Sequence, residues 1–199
     1  MTTAGGAASP HGAYRSGRVA LRPRGTSKAM ERVSGYTCGR CGEWHDELPF
    51  AYGAEAPAYW RDELESDPRS ELGEEQCVIG DEHFFVRGRV RLPVEGSGEP
   101  FEWGVWVSLS EENFARMSEQ WDDEGREDDE PMFGWLSSEL PVYEASTLSL
   151  RTTVHTQPVG VRPVVELEPG EHPLAIEQRE GISLARVQEF AEALLHDDA

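Results

Sequence analysis

Cysteine is scarce in this chain: there are three in 199 residues. An odd, low count excludes a disulfide framework. Two of the three are separated by two residues, a spacing that suits a metal or a reduced compartment better than a secreted staple. Long apolar runs are also missing, so no transmembrane helix is expected. The N-terminus lacks the apolar core of a signal peptide. Positive charge is short as well, and the formal net charge is −20. So acidic a surface repels phosphate backbones, which argues against nucleic-acid binding by the general surface. A basic protein partner or a cation is easier to accommodate, and the charge also serves solubility. These shortages describe a cytoplasmic protein with no membrane attachment.

Hydrophobic residues make up 38% of the sequence and charged residues 28%. That is a globular composition, and the length suits one domain able to bury a core without disulfide or metal. Residues 1–33 differ from the rest. They are rich in Gly, Ala, Ser and Arg, and residues 1–29 contain Arg15, Arg18, Arg22, Arg24 and Lys28 but no acid. So few large apolar groups cannot offset the entropy of ordering. The expected organisation is a disordered leader over 1–33 and a single domain over 34–199.

Within that domain, residues 56–64 read as a short helix with Pro57 in its first turn, where a missing N–H costs nothing. Residues 76–79 read as a short strand. Residues 83–94 alternate: Phe84, Val86, Val90 and Leu92 share one face, and Phe85, Arg87, Arg89 and Arg91 the other. A turn containing Gly96, Ser97 and Gly98 follows. Residues 101–109 then alternate again, with Trp103, Val105 and Val107 inward and Glu102, Trp106 and Ser108 outward. Two such strands across a turn predict a hairpin. Ser110 has the character of a helix N-cap, with Glu111 and Glu112 where the helix dipole favours acids. Residues 122–130 hold seven acids and Arg126, and read as a solvated loop. Two more strands are expected in 147–156 and 159–168. A last helix, capped by Ser183, carries Leu184, Val187, Phe190, Ala191 and Leu194 on one stripe. This order predicts an α+β fold: an antiparallel sheet of about four to six strands, packed by two or three helices, with an N-terminal Cys/His knuckle.

Several strings in this region are distinctive together. They are Phe101-Glu-Trp-Gly-Val-Trp-Val-Ser-Leu-Ser-Glu-Glu-Asn-Phe114, Phe133-Gly-Trp-Leu136, Arg151-Thr-Thr-Val-His155, His172-Pro-Leu-Ala175 and Cys38-Gly-Arg-Cys-Gly42 with His45. In combination they resemble a bacterial family known as domain of unknown function 2199, over roughly residues 36–190. The resemblance implies no activity, substrate or catalytic residue.

The chemistry must therefore come from the residues. Zn²⁺ takes four ligands in a tetrahedron, mostly Cys sulfur and His nitrogen. Cys38 and Cys41 flank a turn, with Gly42 to tighten it and His45 close by. The second Cys pair of a full zinc ribbon is missing, so the fourth ligand is expected from Cys77, giving a structural Cys₃His site. Two other readings stand beside it: a redox dithiol, and free thiols packed as small hydrophobes. A second candidate is the polar face of the strands, where Arg87, Arg89, Trp106, Arg151, His155, Arg162 and Glu166 fall opposite the apolar residues. Such a face suits a small anionic ligand, or equally a set of cross-strand ion pairs.

His155, His172, Glu166 and Glu177 offer the groups of an acid–base site, but nothing in the sequence fixes their distances. No nucleophile elbow, phosphate-binding glycine loop or His-Glu-x-x-His motif is present. The sequence thus favours a non-enzymatic binding or interaction domain with a structural zinc. The alternatives are a small hydrolase or transferase using the polar face, and an acidic inhibitor or immunity-type protein that masks a basic partner.

Overall fold

Residues 21–23 and 34–196 are described by the structure, a computed structural model. The rest of the expected leader and residues 197–199 lie outside the described residues. The elements run β1 (Leu21–Pro23), β2 (Ser34–Thr37), β3 (Trp44–Glu47), β4 (Ala51–Ala54), β5 (Glu71–Leu72), β6 (Gln76–Ile79), β7 (His83–Leu92), β8 (Phe101–Leu109), α1 (Glu111–Glu119), β9 (Met132–Leu136), β10 (Arg151–His155), β11 (Val164–Leu167), α2 (Pro173–Glu180) and α3 (Leu184–Leu195). No helix among the described residues is long and apolar enough to cross a membrane.

The fold is mixed α+β, but its sheet is not the open antiparallel one expected from the sequence. Strands β7 to β11 form a consecutive antiparallel meander. A meander with an odd number of strands begins and ends in the same direction. Closing it therefore demands a parallel pair, and β11 pairs parallel with β7 at Val164↔Arg89. The Arg89 N–H donates to the Pro163 carbonyl at 2.9 Å beside that point. The result is a closed five-stranded barrel. The two long strands exceed what the barrel needs. The first half of β8 pairs parallel with β4, which carries β1, and the first half of β7 pairs with β6, which carries β5.

The barrel interior is narrow. A Cβ at Gly134 would lie 2.4 Å from Val107 Cγ1 and 2.8 Å from the Ser108 carbonyl, and one at Gly88 would lie 2.5 Å from Val165 Cγ2. Only glycine lets these strands approach so closely. Val86, Val90, Trp103, Val105, Val107, Leu136, Val154 and Val165 are buried in the main core. Each such aliphatic or aromatic side chain contributes roughly 1.5–3 kcal/mol. Helix α3 packs into the same core through Val187 and Phe190, whose ring lies 5.1 Å from both Phe101 and Trp103.

The helix ends follow their sequence signals. Ser110 accepts from the Asn113 N–H at 3.2 Å and starts α1, and Ser183 accepts from the Arg186 N–H at 3.2 Å and starts α3. Helix α2 was not expected. Its cap is His172, whose Nδ1 accepts from the Leu174 N–H at 3.1 Å, with Pro173 in the first turn.

Three local expectations are corrected. Residues 56–64 form no α-helix; a turn leads into a short 3₁₀ segment over Asp62–Ser66. Trp106 does not face solvent but is fully buried in a second small core with Ala54, Cys77 and Phe85. Partly buried Trp60, Leu72 and Ile79 cover that core, so the face of β8 read as polar is roofed by the segment after β4 and by the β5–β6 extension. Arg126, in the acidic stretch, is buried too. Its guanidinium donates to the carbonyls of Gln157 (2.7 Å), Trp121 (2.5 Å) and Val161 (3.3 Å) and lies over the Trp121 ring. One arginine thus pins the loop that seven acids would otherwise keep solvated.

Candidate metal centre

Strands β2 and β3 form a separate two-stranded ribbon, with Tyr36 opposite His45 and Thr37 opposite Trp44. The connection between them is the Cys38–Glu43 turn. The Cys38 N–H donates to the Glu43 carbonyl, and the Gly42 N–H to the Cys38 carbonyl, both at 2.9 Å. Gly42 has φ of +75°, a left-handed conformation that favours glycine. This tight turn aims both sulfurs at one point. His45, the first ribbon position able to look back at them, stacks on Tyr36 with ring centroids 5.0 Å apart.

Backbone donors converge on the sulfurs. Burial works to raise the Cys38 thiol, but the N–H groups of Cys41 and Arg40 aimed at its sulfur outweigh it and hold it below its ordinary value. The Arg40 N–H lies 3.4 Å from that sulfur. Cys41 receives the Glu43 N–H, yet burial and the neighbouring Cys38 sulfur push its thiol up. Donors turned toward a sulfur favour its thiolate, the form that binds metal.

A fourth group comes from the other end of the fold. His196, at the C-cap of α3, places Nε2 3.1 Å from Cys38 Sγ, 158 positions away in sequence. His45 Nε2 lies 3.6 Å from Cys41 Sγ. The ligating atoms of Cys38, Cys41, His45 and His196 all fall within 4.8 Å of one another. In tetrahedral zinc sites, with Zn–S of about 2.3 Å and Zn–N of about 2.0–2.1 Å, donors sit about 3.3–3.8 Å apart. The four groups are placed to hold a metal ion.

The ribbon is docked on α3 by more than this cluster. Glu192 accepts from the Gly39 N–H at 2.7 Å, and Gln188 donates to the Thr37 carbonyl at 3.3 Å. Gln188 and Gly39 donate to the Glu192 carboxylate and hold it below its usual range, helped by Arg40 and His196. Tyr36, Cys38 and Ala191 pack together as a small buried cluster.

Residues 37–182 match the family described as "Uncharacterized protein conserved in bacteria (DUF2199)". The chain belongs to that family. No curated protein and no solved structure matches it. In this DUF2199 chain, the matched span includes Cys38, Cys41 and His45 and ends before His196.

Cys77, expected as the fourth ligand, is not brought to the cluster. It is buried on β6 against Phe85 and Trp106, and burial pushes its thiol up to about 12. His196 was missed because no motif announces it. It is a lone histidine after a helix, and only the packing of α3 beside the ribbon gives it meaning.

The polar residues of the strands are spread around the outer surface and largely paired. Arg89 donates to Glu102 at 3.1 Å, and Arg162 makes a two-pronged contact with Glu75. Arg151 donates to Glu168 at 2.6 Å, and His155 Nε2 lies 3.1 Å from a Glu166 oxygen. Arg87 donates to the carbonyls of Ala54 and Glu74 and lies 5.5 Å from the centroid of buried Trp106. The four residues weighed for acid–base chemistry divide into two groups. His155 is with Glu166. His172 lies beside Tyr143, whose hydroxyl donates to Glu177, which also accepts from Arg186, so this second group ties α2 to α3.

Proposed function

We propose that the protein is a non-enzymatic binding or interaction domain whose N-terminal ribbon is clamped to its last helix by a structural zinc. The observation that carries this reading is the convergence of two sulfurs and two imidazoles within 4.8 Å. A Cys₂His₂ set suits Zn²⁺ by ligand softness and geometry. Four protein ligands also fill the tetrahedron, leaving no position for the water that a catalytic zinc would activate. The docking contacts of Gln188 and Glu192 support the same role, because they fix the helix that delivers His196.

The redox reading of the dithiol is less well supported. The Cys38–Cys41 turn leads into a β-ribbon, without the βαβ context of a redox motif. The packed-hydrophobe reading suits Cys77 but not Cys41, which is exposed.

The test is elemental analysis of protein purified without chelators. The expected content is one zinc per chain, lowered in Cys41→Ala and His196→Ala and unchanged in Cys77→Ala. Metal-free wild-type protein, or zinc retained by both ligand variants, overturns the proposal.

A further inference from the structure

On the flank of the barrel, away from the ribbon, lies an open cleft of about 690 Å³. That volume is in the range of small-molecule sites. Phe85 lines it from the start of β7, with its cross-strand partner Ser108 beside it. Tyr59 stacks on Phe85 with centroids 6.0 Å apart, and Trp135 stands on another wall. Tyr59 and Trp135 are each 40% exposed. Two large aromatic rings left in water around one concavity are an informative departure from burial. Ser149, also lining the cleft, holds φ of 61°, a left-handed conformation that strains a serine backbone.

The charge of the cleft selects among ligands. Among the described residues, Glu82 and His83 are the ionisable side chains that line it, and no Lys or Arg side chain does. Arg69 is near enough to feel Asp81 and Glu82, but it is bound to Asp67 at 3.2 Å. Among the described residues Glu82 is therefore the carboxylate of the lining, and the nearby Arg69 is neutralised by Asp67. Arg151 touches Trp135 but is already paired with Glu168. Aromatic faces present negative charge and attract a cation placed over them. The whole chain, at −20, adds attraction of the same sign.

We infer that this cleft binds a small organic cation, an alkyl- or quaternary ammonium group seated against Tyr59 and Trp135 with Glu82 as counter-charge. Discrimination then comes from charge rather than shape. An uncharged ligand of the same shape loses the ring and carboxylate attraction, and an anion is repelled.

The experiment is titration calorimetry of the full chain with choline and with its uncharged isostere 3,3-dimethylbutan-1-ol. Choline is expected to bind saturably, and the isostere about tenfold more weakly. Trp135→Ala and Glu82→Gln are each expected to weaken choline several-fold while leaving the circular dichroism spectrum unchanged. Glu82→Gln keeps the size of an exposed side chain, so a folding defect in the tryptophan variant does not remove the test. Equal affinity for the isostere, preference for benzoate, binding untouched by both variants, or no saturable binding at millimolar choline each overturns the inference.

Discussion

Removal of the metal is the perturbation whose consequences the structure defines most fully. Among the described residues the ribbon β2–β3 pairs as a sheet only with itself, apart from the nine-stranded sheet that contains the barrel. Its apolar contact with the rest is the small cluster of Tyr36, Cys38, Ala191 and Leu48. The barrel core holds none of the four ligands. Chelation is therefore expected to free the ribbon and the end of α3 while the barrel survives. Zinc present at a thousandfold over its dissociation constant stabilises the native state by about 4 kcal/mol. For a two-state chain of this size each kcal/mol moves the melting temperature by about 2–4 °C, so about 8–16 °C is the ceiling on the shift, reached where ribbon and barrel unfold together. Calorimetry with zinc or with chelator measures the shift. Hydrogen exchange locates it, with protection lost in 34–47 and at the end of α3 from 192 to 196, and kept in β7–β11. Identical melting with and without metal would refute the clamp. Protection lost evenly across the barrel would refute the independence of the ribbon.

Three further outcomes follow from the packing. Trp106→Ala removes a fully buried indole from the second core and is expected to cost about 3–5 kcal/mol by urea unfolding. Gly134→Ala drives a methyl into Val107 and the Ser108 carbonyl, and is expected to cost at least about 1–3 kcal/mol by the same measurement. Cys77 has a folded pKa raised to about 12 by burial, against 9.0 for an ordinary thiol. Above pH 9 the unfolded thiol loses its proton while the folded one keeps it, so stability falls from pH 9 toward 12, by up to about 1.4 kcal/mol per pH unit for this group. Urea midpoints against pH test this, and Cys77→Ala should flatten the slope; a slope unchanged by the substitution would sink the assignment.

Much of the fold was legible because its signals are local. The Phe84/Val86/Val90 and Trp103/Val105/Val107 alternations mark β7 and β8, and Ser110 and Ser183 mark the starts of α1 and α3. What escaped depends on contacts between distant segments. Closure of the barrel turns on Val164 meeting Arg89, which no periodicity encodes. Trp106 alternates as an outward residue should, yet Trp60 and Ile79 cover it. The metal centre divides along the same line. Cys38, Cys41 and His45 lie on one turn and were readable together, whereas Cys77 and His196 both lie outside it and only packing decides between them.

The parallel closure also governs how the chain reaches this fold. Each antiparallel pair from β7 to β11 joins neighbours in sequence, so the chain to be ordered between partners is far shorter than between β7 and β11. The β11–β7 pair joins the two ends of the meander and carries the largest entropic cost. It is therefore expected to form last, as the step that limits refolding. Until it does, β7 and β11 each present an unpaired edge to any other chain. At these two strands the hazard of self-association then belongs to folding rather than to the folded protein, and Gly88, where the two ends come into contact, is a position at which any side chain would obstruct closure.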